Sequence, residues 1–156
     1  LEDQDTALWD TRLIGCAGDY LRRAESLGAF GRFQLEAAIQ AVHTDRMSTG
    51  VTNWAALVQL HAGLSHLAPT IGATVGYAVA LGKAQGPQAG RAVLGQIEAP
   101  VRAGFAPVQA AEAYMLRELG ERDAAEAAYT RAIALTVEDP LKSYLERQRA
   151  ALAQDT

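Results

Sequence analysis

The sequence predicts an all-α protein, and three observations carry that prediction. Ala, the strongest helix former, is the commonest residue, while Pro occurs only 5 times in 156 residues. Apolar residues recur at helical spacing in one segment after another. No segment alternates apolar and polar residues over strand length with β-branched enrichment, so no sheet is expected.

The helices can be placed in order. Residues 6–27 put Trp9, Leu13, Ile14, Ala17, Tyr20, Leu21 and Ala24 on one amphipathic face. Asp5 is a suitable N-cap for that helix, and the glycines of "LGAFG" stop it. "FQLEAAIQAVHT" forms a second helix with Leu35, Ile39 and Val42 inward, and the polar "DRMSTGVTN" is a loop. Thr52 or Asn53 then caps a third helix, Trp54 to about Leu67, which Pro69 ends. A fourth runs from Ile71 to about Ala84, and Pro87 suits the first turn of a fifth that reaches about Glu98. "APVRAGFAP" is a loop with Pro near each end. A sixth helix covers Val108 to Leu119 and stops at Gly120. The seventh covers Arg122 to Thr136, and the eighth opens at Pro140 and continues to about Ala153.

Composition narrows the classes of function. The chain is long enough for one domain with a real core. A net charge of −4 with scattered basic residues lacks the basic stripe of a nucleic-acid binder. A single Cys excludes an internal disulfide and fits a reducing, cytoplasmic setting. No uninterrupted apolar stretch approaches membrane-spanning length, so no membrane partner is expected. Cys16 is expected to be a buried, inert thiol. His61 and His66 stand five apart, about 140° around a helix, which is the wrong spacing for paired metal ligands. His43 sits near a helix end, where a cation is mildly favoured. "ALGKAQG" has the wrong glycine spacing for a phosphate loop. No catalytic residues, metal or cofactor are expected, and the chain does not read as an enzyme.

Short connections between helices raise the possibility of a repeat. "AEAYMLRELGERDAAEAAYTRAIALTVEDP" resembles a tetratricopeptide repeat. Ala113 and Leu116 fall on the small and large positions of its first helix, Gly120 on the turn and Ala125 on the small crossing site. Tyr129 and Ala132 supply the second helix, and the closing Pro is displaced to Pro140. "WAALVQLHAGLSHLAP" resembles a second helix of such a unit, with His61 at an aromatic position. "TIGATVGYAVALGKAQGPQAGRAVLGQI" resembles another pair. The resemblance implies one tetratricopeptide-like domain over residues 1–156, its antiparallel helix pairs stacked into a short superhelix of about eight helices.

A more specific resemblance covers nearly the whole chain. Leu1, Asp3, Gln4, Asp5, Trp9 and Asp10 match the "L-x-DQDR-x-x-WD" of the C-terminal extension found in a group of bacterial extracytoplasmic-function (ECF) RNA polymerase sigma factors; Thr6 replaces the Arg. The stretch from Phe33 to His43 is similar to that family's "YQLQAAIAAxH". Thr52 and Trp54 match its "TDW", and Gly86, Pro87, Ala89 and Gly90 its "GPxAG". "DPLKSYLERQR" is similar to its ending. Gly76 and Tyr77 depart from it, standing where the family has Asn-Arg.

The resemblance implies a regulatory protein-interaction domain acting on transcription initiation. Its partner would be the sigma core of the same chain, RNA polymerase or a regulatory protein, with no direct DNA binding by this segment. "LEDQDTALWD" would then be the joint following the promoter-recognition region. Asp3, Asp5 and Asp10 around Trp9 would form a docking edge for a basic sigma core, although Trp9 is more simply expected to pack on the second helix. The inner face of stacked pairs points to Tyr114 and Arg117 as partner-binding residues, three apart on one helix. Thr74, Tyr77 and Leu81 offer comparable spacing on an earlier helix. Two other functions compete: a small-ligand sensor with a pocket between helices, and an autonomous peptide-binding adaptor.

Overall fold

A computed structural model describes residues 4–153. Those residues are all-α, with no strand among them. After a 3-10 turn at Thr6–Leu8 come α1 (Thr11–Glu25), α2 (Arg32–Thr44), α3 (Arg46–Thr49), α4 (Trp54–Leu67) and α5 (Ile71–Gln85). They are followed by α6 (Pro87–Leu94), α7 (Ala99–Gly104), α8 (Ala106–Glu118), α9 (Arg122–Leu135) and α10 (Asp139–Ala151). The chain divides into two compact units, Leu1–Ala73 and Thr74–Thr156.

In the first unit, the opening helix begins later than its periodicity predicts. Asp5 does act as a cap, but for the 3-10 turn, where its carboxylate accepts from the Ala7 amide at 2.9 Å. Trp9 is extended (φ −80°, ψ 139°), which breaks the helical run. Asp10 then starts α1 afresh by accepting from the Leu13 amide at 2.9 Å. Half-buried Ile14, Gly18, Leu21 and Ala24 form the inner stripe of α1, which packs against α2. Leu13 and Tyr20, expected inward, are 59% and 69% exposed. Periodicity located an apolar surface there but could not tell how much of it the fold covers. α2 pairs with α4, whose Asn53 side chain caps it by accepting from the Ala56 amide at 3.0 Å. Ile39, Leu57, Val58 and Leu64 are buried. The "DRMSTGVTN" segment holds one short helix, α3, which Gly50 ends in the left-handed region at φ 75°.

In the second unit the pairing is denser. α8 and α9 pack most extensively, burying Ala113, Leu116, Ala125, Ala128, Tyr129 and Ala132; α10 adds Leu145. Their turn closes at Gly120 (φ 75°). The Gly120 amide donates to the Arg117 carbonyl at 2.9 Å, and the Glu121 amide to that of Leu116 at 3.0 Å, so orphan carbonyls at the end of α8 are satisfied. A second cluster joins Val75 and Ala78 of α5 to Leu94 of α6 and to Val108, Ala111 and Met115 of α8.

The segment expected to be a Pro-flanked loop contains α7. Pro100 lies in its first turn, where a missing N–H costs nothing. α6 stops at Leu94 rather than near Glu98, with Gly95 as its C-cap.

Candidate functional site

The sequence places Tyr114 and Arg117 three apart on α8, and the fold gives both a half-buried setting beside its core. α8 buries Val108, Ala111, Met115 and Leu116 against its neighbours. Ala110, Tyr114 and Arg117 form the half-exposed stripe that remains. Lys83 of α5 brings its ammonium over the Tyr114 ring at 4.4 Å from the centroid, and the Arg117 guanidinium lies 5.4 Å away. One aromatic ring thus gathers two cations from two helices, an arrangement worth ~1 kcal/mol per cation where solvent is partly excluded.

Arg117 is further fixed. It donates to the Glu118 carboxylate from Nη2 at 3.0 Å, and to Gln148 Oε1 on α10 at 2.5 Å. Burial opposes its charge, but the Glu118 bond and the nearby Tyr129 outweigh that and hold its pKa above the usual arginine range. It therefore stays a cation, tied to α10, at any physiological pH. Thr74, Tyr77 and Leu81 lie half-buried along α5, outside the deeply buried Ala78 and Ala80.

The residues around the opening motif have separate settings. Asp3 lies outside the described residues. Asp5 and Asp10 each cap a helical turn. Trp9 is half-buried, with the Arg46 guanidinium of α3 at 5.2 Å from its ring, a partner that sequence reasoning did not name. Cys16, expected buried, is exposed, because it lies on the side of α1 turned away from the Ile14–Leu21 stripe.

Large exposed apolar residues occur along that side, in the turn that follows and at the start of α2. With Leu13 and Tyr20 they include Leu27 (80% exposed), Phe30 (73%) and Phe33 (79%). Arg23 stacks over Tyr20 and Arg32 over Phe33, each at 5.8 Å. The helical pattern of α1 signalled the first two. Phe30 and Phe33, flanking a glycine, gave no comparable warning.

Sequence reasoning also missed Gln109, which is buried yet polar. Its Nε2 donates to the Arg102 carbonyl of α7 at 2.7 Å, and its Oε1 accepts from Arg131 Nε of α9 at 2.6 Å. No group of three or more His, Cys, Asp or Glu that could hold a metal occurs among the described residues. No helix among them is long and apolar enough to cross a membrane.

In class, then, this is an all-α protein of packed helix pairs with an aromatic–cationic face and a bare apolar run. Over 155 residues, 99% of its length, the chain is 30% identical to an uncharacterized protein of Rhizobium meliloti (strain 1021). It spans 36% of that relative. No family model matches the chain, and no solved structure does.

Proposed function

We propose that this chain is a regulatory protein-interaction module of an ECF RNA polymerase sigma factor, acting in the cytoplasm on transcription initiation. The observation that carries the interaction part is the bare apolar run of Leu13, Tyr20, Leu27, Phe30 and Phe33. So many large apolar side chains along α1, the turn after it and the start of α2 mark a surface that another protein segment covers. The sigma-factor part rests on the motif resemblance that begins at Leu1 and includes the "GPQAG" of residues 86–90. The relative's greater length is in keeping with a module of a larger chain. In this reading the occupant of the apolar run is the sigma core of the same protein. The Tyr114–Lys83–Arg117 face serves a second partner, such as the polymerase or a regulator.

The test replaces Leu27, Phe30 and Phe33 together with Ser in the longer protein and measures transcription from its own promoter. Transcription control should be lost while the melting temperature of the module is held, since these side chains are already in water. Unchanged control with an intact fold would defeat the proposal.

A further inference from the structure

The first unit contains a cleft of about 240 Å³ between the start of α2, the later half of α4 and the first turn of α5. Its wall combines one cation, one anion and an apolar floor. Arg32 and Glu36 stand one helical turn apart on α2, with Arg32 Nε 2.8 Å from Glu36 Oε1. Leu64, Ala68, Gly72 and Ala73 supply the apolar part, and His61 and Thr70, whose hydroxyl accepts from the Ala73 amide at 3.1 Å, complete the wall. The His61 ring has a buried Nδ1 with no hydrogen-bond partner.

Each simple class of occupant fails against this wall. A lone anion meets Glu36, and a lone cation meets Arg32. A purely apolar molecule would displace water from the ion pair and return no polar contact. A molecule carrying both charges a few ångströms apart escapes all three objections. Its carboxylate takes the planar fork of Arg32, of whose five donors the Glu36 bond uses one. Its ammonium takes the second oxygen of Glu36. The Arg32–Glu36 pair is exposed to solvent and so weak enough to be rearranged. The cleft is smaller than those that hold drug-sized ligands, which start at roughly 300 Å³. Its floor suits a short aliphatic group.

We propose that this cleft binds a small zwitterion of the free aliphatic α-amino-acid class. The site lies wholly within the first unit and is independent of the sigma-factor reading. His61 gives it a reporter, since an occupant that lets the ring turn about Cβ–Cγ gives Nδ1 the partner it lacks.

The experiment titrates the 156-residue chain with L-alanine, L-valine and L-leucine, and with acetate and methylammonium as single-charge halves. It follows backbone amide and His61 ring resonances by NMR. At least one amino acid should give saturable shifts confined to residues of α2, α4 and the start of α5 at millimolar concentration. Each half should bind roughly ten-fold more weakly or worse, the equivalent of one charge contact. Arg32→Gln and Glu36→Gln should each weaken the amino acid by a similar factor without lowering the melting temperature by more than a degree or so, as expected for an exposed pair. No saturable shift with any of the three amino acids would overturn the proposal. So would acetate binding as well as the amino acid, or titrations that both variants leave unchanged.

Discussion

Gly90 of α6 approaches α5 so closely that a β-carbon on it would lie 2.5 Å from the Ala78 carbonyl oxygen. The same β-carbon would meet Met115 Cε at 2.5 Å and Sδ at 2.8 Å. The methionine can swing aside, but the carbonyl is backbone in the middle of a helix. The glycine is therefore a requirement of the α5–α6 crossing rather than a convenience of the turn before it.

Gly90→Ala should accordingly destabilise the second unit by about 3 kcal/mol, at the upper end of overpacking costs. A urea melt reads this as a lowered midpoint with an unchanged slope. Met115→Ala opens a cavity of its own, so in a double-mutant cycle the costs of Gly90→Ala and Met115→Ala should simply add, because the carbonyl clash remains. A double variant more stable than that sum would place the conflict at the methionine instead.

Asp10 separates capping from docking. Asp10→Ala should cost about 1 kcal/mol by removing the cap on Leu13, whereas Asp10→Asn keeps the cap and removes the charge. Thermal melts of the two variants check this directly. If Asn costs as much as Ala, the side chain acts through its charge and not through the Leu13 amide.

His61 makes stability fall in acid. Burial first, and then the charge of His43, hold its pKa below the usual histidine value. The unfolded chain therefore binds the proton more readily than the folded one, and stability rises with pH across the window between the two values. Lowering the pH from about 7.5 to about 5.5 should reduce the urea midpoint, and His61→Phe should reduce that dependence. An identical pH dependence in the variant would assign the effect to another group.

Cys16 reports on whether α1 is covered. In the isolated chain its exposed thiol should react fully with a thiol reagent without denaturant. If the proposed sigma core covers α1, the same thiol in the full sigma factor should be protected roughly ten-fold or more, since it lies three and four residues from Leu13 and Tyr20 on α1. Equal reactivity in both would mean that the apolar run stays bare.

The helix-pair character was legible where local chemistry and packing agree. At the α8–α9 turn, Gly120 is needed for its left-handed backbone, and Ala113, Ala125 and Ala132 for close approach; all of these can be seen in the string of letters. The start of α1 was not, because two aspartates compete to cap it and only the extended Trp9 decides between them. α7 was hidden by its proline, which serves equally well in a loop or in a first turn. Tyr114 and Arg117 were found as a pair. Lys83, which joins them, comes from a helix whose place against α8 no local pattern encodes. The cleft of the first unit was invisible for the same reason, since its wall draws on residues from 32 to 73.

The tie made by Gln109 has a chemical direction. Its nitrogen must face the Arg102 carbonyl and its oxygen must face Arg131, so the amide can sit only one way round. Hydrolysis of that amide to a carboxylate would keep the bond to Arg131 and strengthen it, yet would set oxygen against oxygen at α7. A single covalent change of one mass unit, on a side chain buried from solvent, would thus break this tie to α7 while keeping the one between α8 and α9. At Gln109, loss of the side-chain amide would become loss of a contact between α7 and α8.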